Sequence, residues 1–205
     1  MLEQVLERSG LDQLRGQAEP VPGELGDALE RLDTTPAVPA AGAYAREEFG
    51  QRWADVDRNG CDQRNDALRA QLTEVQLKPG TRGCKVLAGT LTGPYSGRVL
   101  AFTSADPKAV QIDHVVSLSD AWSSGAWQWS QDRREAFAND PQNLLAVDGP
   151  TNQAKGDKNA AQWVPGTAAG RCLMAKTQIQ VKTDWQLSVT ERERAALRKV
   201  LAGCE

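Results

Sequence analysis

Two β-type runs, Cys84-Lys85-Val86-Leu87-Ala88-Gly89-Thr90-Leu91-Thr92 and Gly97-Arg98-Val99-Leu100-Ala101-Phe102-Thr103, are separated only by Gly93-Pro94-Tyr95-Ser96. Turn residues between strand-forming runs this close together make a hairpin. Helical periodicity flanks it on both sides, notably over residues 61–72, where Leu68 and Leu72 face inward, so the fold class is α+β. A chain of 205 residues can bury one substantial core, which implies one main domain with an appended segment.

The appended segment is the front. Residues 1–33 hold two short amphipathic patterns, Leu2, Val5, Leu6 and then Leu25, Ala28, Leu29, Leu32, separated by Pro20-Val21-Pro22-Gly23. The stretch Thr34-Thr35-Pro36-Ala37-Val38-Pro39-Ala40-Ala41-Gly42 reads as an extended Pro/Ala linker, which divides the chain into an acidic N-terminal segment, 1–42, and a main domain, 43–205. Residues 1–50 carry 4 Lys or Arg against 10 Asp or Glu, leaving 20 against 17 for the remainder. The overall charge of -3 therefore belongs to the front, and the remainder tolerates an anionic partner. No apolar run approaches the roughly 18 residues of a membrane helix, and the N-terminus lacks a basic stretch followed by an apolar one, so no membrane partner and no secretion signal are expected within it.

The cysteines Cys61, Cys84, Cys172 and Cys204 are too widely spaced for a C-x-x-C zinc knuckle. A near pair and a far pair suggest disulfides Cys61–Cys84 and Cys172–Cys204 and an oxidising compartment. Two other pairings, or four reduced thiols, remain open at this level. Further along, residues 44–53 suit a helix, with Tyr44, Phe49 and Trp53 as apolar anchors, and Asp55-Val56-Asp57-Arg58-Asn59-Gly60 is turn-rich without the glutamate that closes a calcium loop. Residues 119–124 and 130–139 read as helical, 168–177 as another helix, and the final helix begins at a capping box, Thr190-x-x-Glu193. The six tryptophans are core or wall residues before they are base-stacking platforms.

The only histidine, His114, follows Asp113 at the end of the apolar run Val110-Gln111-Ile112. A short strand, Asn143-Leu144-Leu145-Ala146-Val147, comes about 28 residues later, then a turn at Asp148-Gly149-Pro150 and a helix from Thr151 carrying Asn152 and Lys155. Asp-His closing one strand, N-L-x-x-V opening the next and N-x-x-K-G-D in the helix resemble the HNH branch of the His-Me finger (ββα-metal) nucleases. The flanking Gly60-Cys61-Asp62-Gln63-Arg64-Asn65, Gly83-Cys84-Lys85-Val86 and Ala136-Phe137-Ala138-Asn139-Asp140-Pro141 extend the likeness to a group of secreted bacterial HNH-family proteins, over residues 44–205.

The resemblance implies a ββα-metal core with an extra β-hairpin, surrounding helices and disulfide staples. It also implies a metal-dependent endonuclease hydrolysing DNA, with RNA as the alternative substrate, at low sequence specificity. His114 would be the general base, Asp113 and Asn152 the ligands of one divalent cation, and Asn143 a brace for the backbone around His114. Lys155 and Arg64 would contact phosphate or stabilise its developing charge. Oxygen ligands favour Mg²⁺, with Mn²⁺ or Ca²⁺ as alternatives. Three features depart from the family pattern: Asn152 stands where many relatives have His, the zinc-binding C-x-x-C pairs are missing, and the span between His114 and Asn143 is longer than a tight connection. Two other readings of the same residues are a non-catalytic secreted binding module and a nuclease toxin domain with an immunity partner; no protein partner is legible.

Overall fold

The computed structural model describes residues 21–35 and 42–204. The first amphipathic pattern, at Leu2, Val5 and Leu6, and residues 36–41 of the Pro/Ala stretch lie outside them. The hairpin is present as β2 (Val86–Thr92) and β3 (Val99–Thr103), with Leu91 opposite Leu100. It gains a third strand that the sequence reading did not register, β1 (Thr73–Leu77), antiparallel to β2 with two irregularities in register. That strand is nearly all solvent-facing, so it carries no apolar alternation to announce it.

A second sheet consists of β4 (Val110–His114) and β5 (Leu144–Asp148), antiparallel, with Ile112 opposite Ala146 and His114 opposite Leu144. The helix α5 (Gly149–Lys155) follows without a gap. Residues 148–150 are therefore not a free turn. Asp148 is the helix cap, accepting hydrogen bonds from Thr151 N (3.1 Å) and Thr151 Oγ1 (2.6 Å), and Pro150 sits in the first turn, where its missing N–H costs nothing. Glycine is required at 149, since a Cβ there would fall 2.2 Å from the Lys108 carbonyl oxygen.

The remaining helices are α1 (Glu24–Arg31), α2 (Gln63–Gln71), α3 (Leu118–Ser123), α4 (Gln131–Ala138), α6 (Ala168–Trp185) and α7 (Glu191–Leu201). The helix expected over 168–177 continues to Trp185. The one expected over 44–53 does not form: a single 3-10 turn, Arg46–Phe49, stops at Gly50, whose φ of 64° leaves the helical region. The boundary at residue 43 does not separate the front from the core, because α1 packs on α6 and α7 with Leu29 fully buried. Arg194 of α7 donates to the carbonyls of Leu29 and Leu32, and Arg198 pairs with Glu30. Burying a leucine in this way contributes about 1.5–3 kcal/mol, more than a surface tether would gain.

Three apolar clusters hold the molecule together, and the β4–β5 ribbon with its exit contributes to each. Val115 and Val147 join α1, α6 and α7; Val116 joins Phe49, Trp122 and Phe137; Val110, Ile112, Leu144 and Ala146 join α2 and the three-stranded sheet. Most tryptophans are wall or core, with Trp129 and Trp185 packed against Phe137 at centroid distances of 5.7 and 5.3 Å. Both disulfides are formed, Cys61–Cys84 and Cys172–Cys204.

Candidate active site

His114 ends β4 where the strand leaves the ribbon, and three elements determine what its imidazole can do. Its Nε2 lies 2.8 Å from the carbonyl oxygen of Ala138, at the end of α4. A carbonyl only accepts, so Nε2 carries the proton and Nδ1 is left with its lone pair. One face of the ring is stacked by Trp53 at 5.9 Å between centroids and 6° between planes. Burial, with Arg46, Lys155 and Arg52 adding repulsion against the Ala138 hydrogen bond, lowers the imidazole pKa to about 4. At neutral pH the ring is therefore an uncharged base. The long span between the strands thus supplies the acceptor that selects the tautomer.

Asn143 stands immediately before β5 and is fully buried. Its Oδ1 accepts from Val116 N at 2.7 Å and its Nδ2 donates to Val116 O at 3.0 Å, while Val115 N donates to the Asn143 carbonyl at 2.9 Å. The chain leaving His114 is thereby locked to the start of the opposite strand. Asn143 touches backbone only and has no access to solvent.

Asp113 points the other way from the strand and is 4% exposed. Its Oδ1 takes a hydrogen bond from Lys155 Nζ at 2.8 Å and its Oδ2 one from Tyr95 OH at 3.0 Å. Burial pushes the Asp113 carboxyl up, against the pull of Lys155 and Tyr95, and burial together with Asp113 pushes the Tyr95 phenol up. Lys155, expected at the substrate phosphate, is instead fully buried, since its ammonium also donates to the His114 carbonyl at 2.8 Å. A side chain on the inner face of α5 serves the strand beneath it, and Lys155 fastens α5 to β4 on both sides of the Asp-His junction.

Asn152 lies one turn earlier on α5. Its Nδ2 donates to Gln111 Oε1 at 2.8 Å, which leaves Oδ1 as an acceptor. Arg64 is not brought to this place: its guanidinium rests 5.7 Å from the centre of the Phe102 ring on β3, and neighbouring Asp66 pairs with Arg69 at 2.9 Å. Arg134 of α4 holds the 3-10 turn by donating to Glu48 O at 2.7 Å and pairing with the Glu48 carboxylate at 3.1 Å.

Asp113, His114 and Asn152 line one cavity of about 310 Å³, with Tyr44, Arg46, Arg52, Trp53, Ser117 and Asp157 among the other lining residues. By sequence, residues 44–53 suit a helix with core anchors rather than a cavity wall. No local signal distinguishes Arg46 or Arg52 from any other surface arginine, and only the docking of the 3-10 turn, through fully buried Phe49 against Trp122 and Phe137, brings them here.

Among the described residues no group of three or more His, Cys, Asp or Glu side chains is arranged to hold a metal ion. The oxygen donors expected to ligate, the Asp113 carboxylate and the Asn152 amide carbonyl, both stand on the cavity wall, with the Asp157 side chain also lining it. One carboxylate with one neutral oxygen suits an ion that keeps much of its water and borrows oxygens from its substrate, as Mg²⁺ does. The residues fit such a cation, in competition with Lys155 for the same carboxylate.

A neutral imidazole, a carboxylate, an amide and two arginines thus share one cavity, which makes it the candidate site of this disulfide-stapled α+β domain. The family described as GmrSD restriction endonucleases, C-terminal domain, matches residues 62–200, and the chain belongs to it. It is also 38% identical over 178 residues to a protein of Arthroderma benhamiae named "Uncharacterized secreted protein", covering 86% of this chain and 82% of that one. No solved structure matches the chain.

Proposed function

We propose that this chain is a metal-dependent endonuclease of the HNH, His-Me finger type, hydrolysing phosphodiester bonds of DNA with low sequence specificity. The observation that carries the reading is His114: an uncharged imidazole with Nε2 committed to the Ala138 carbonyl presents Nδ1 as proton acceptor in a cavity that also holds Asp113, Asn152 and two arginines. The succession of β4, β5 and α5 supports a ββα-metal core, and the family match supports nuclease chemistry.

In this reading His114 Nδ1 removes the proton from the attacking water, Trp53 and the Ala138 carbonyl hold the ring in line, and Asn143 keeps the backbone beneath it rigid. Asp113 and Asn152 would hold a divalent cation, which supplies charge for the phosphorane and the leaving oxygen. Low specificity accords with a cavity whose polar groups suit phosphate, without a dedicated base-reading element. Two disulfides and the name of the Arthroderma benhamiae relative, a secreted protein, support secretion.

Plasmid incubated with the intact protein and Mg²⁺ or Mn²⁺ is expected to be nicked and linearised, with chelator abolishing the reaction and His114→Ala lowering its rate by at least about 10²-fold. Cleavage by His114→Ala at the intact rate overturns the mechanism. One observation favours the rival reading of a non-catalytic secreted module, namely that both Asp113 oxygens are already engaged. Titration of Mn²⁺ into intact protein and Asp113→Asn separates the two, since the rival reading predicts no heat that depends on Asp113.

A further inference from the structure

The family model begins at residue 62, yet residues 44–53 form one wall of the cavity that holds His114. Two cations come from that wall. Arg46 is half-buried and donates to the Gly50 carbonyl at 3.3 Å, and Arg52 is exposed beside Trp53, the residue stacked on His114. Neither guanidinium has an ion-pair partner among the described residues; Glu47 and Glu135 act on Arg46 only from beyond contact distance. Burial, then the nearby charge of Arg52, lowers the pKa of Arg46. The carboxylates on the cavity wall do not answer this charge: Asp113 is matched by Lys155, and Asp157 stands alone against two arginines. Like charges gathered beside a base and left without a counterion form an anion site.

We infer that Arg46 and Arg52 form a phosphodiester subsite that grips the non-bridging oxygens of the strand phosphate presented to His114. A guanidinium offers a planar pair of donors that matches two oxygens of one phosphate, and Arg52 lies next in the chain to the residue that orients the base. The role given to Arg64 and Lys155 from sequence thus passes to residues outside the family-matched stretch. This inference rests on the nuclease reading for the identity of its ligand.

The test uses the full chain and a fluorescent DNA oligonucleotide. Cleavage of plasmid by intact protein is measured first. Binding by anisotropy is then followed across a salt series for His114→Ala alone and with Arg46→Gln or Arg52→Gln added. Each Gln change is expected to weaken binding and to reduce the slope of log K against log[salt] by about 0.7–0.9. In the otherwise intact protein each is expected to lower kcat/KM by about 10²-fold, while Arg192→Gln, on the exposed side of α7, changes neither. Arg52 makes no hydrogen bond or ion pair among the described residues, so its variant is not compromised by misfolding, and Arg52→Lys should recover part of the loss. If intact protein cleaves DNA and both Gln variants bind and cleave as it does, the subsite is overturned and the nuclease reading stands. If it does not cleave but binds the oligonucleotide through Arg46 and Arg52, the nuclease reading falls and the anion site is upheld. No cleavage together with no binding overturns both.

Discussion

At the scale of single residues the decisive contrast is between two neighbours, Asp113 and His114, which the strand sends to opposite environments. His114 is kept neutral and aimed by one carbonyl and one indole ring, whereas Asp113 is buried against one ammonium and one phenol. The Asp113–Lys155 pair is almost wholly removed from water, so breaking it exposes the cost that the pairing hides. Lys155→Met is expected to destabilise the protein by about 3–5 kcal/mol in urea unfolding at pH 7, because Asp113 is left buried without its cation. Adding Asp113→Asn should return a large part of that loss. A cost below about 1 kcal/mol for Lys155→Met would show that water reaches Asp113 and that the pair is not closed. Lys155 is also why a sequence motif misleads here: N-x-x-K shows where a lysine stands, but whether it meets phosphate or the floor of the strand depends on which face of α5 it occupies.

Elements are joined by a second buried charge group, centred on Lys182. Lys182 of α6 is fully buried and pairs with Asp120 of α3 at 2.8 Å and Glu193 of α7 at 2.7 Å, and it also donates to Ser124 Oγ and Ser188 O. Glu193, expected to return to the helix start in a capping box, turns instead to Lys182, and only Thr190 caps, accepting from Glu193 N at 3.1 Å. Two carboxylates share one ammonium, and burial, opposed by Lys182 and reinforced by Asp120, pushes Glu193 up from 4.5 to about 7. A carboxyl that holds its proton more tightly when folded stabilises the fold fully below pH 4.5, and that contribution is lost as pH rises through about 7. The melting temperature is therefore expected to fall between these limits, and Glu193→Gln should flatten the profile across the same window. An unchanged slope in the variant would assign the pH dependence to other groups.

For the whole molecule, the two disulfides fall before and after the Asp113–Lys155 stretch in the chain. Cys61–Cys84 ties the start of α2 to the start of the hairpin across a separation of 23 residues, and Cys172–Cys204 ties α6 to the end of α7 across 32. Loop closure of this length is worth roughly 3–4 kcal/mol for each bond, so reductant is expected to lower the urea midpoint substantially, and Cys172→Ser with Cys204→Ser should reproduce about half of the effect. Much of this architecture was legible beforehand: the hairpin, the strands around Ile112 and Ala146, and the helix carrying Asn152 are each specified by short-range pattern, with turn residues and caps at their ends. Strand β1 and the 3-10 turn at Arg46–Phe49 were not, the first because it is exposed on both faces and the second because Gly50 overrides helical spacing. By itself the sequence determined the α+β class, the succession of strand, strand and helix, and the place of the only histidine within it. Tertiary structure alone decided that Ala138 meets His114 across 24 residues, that Lys155 closes on Asp113 across 42, and that Arg46 and Arg52 reach the cavity. Local patterns record which face of an element is apolar, whereas a polar contact between distant segments depends on how those faces pack, and no residue in either segment carries a mark of its partner.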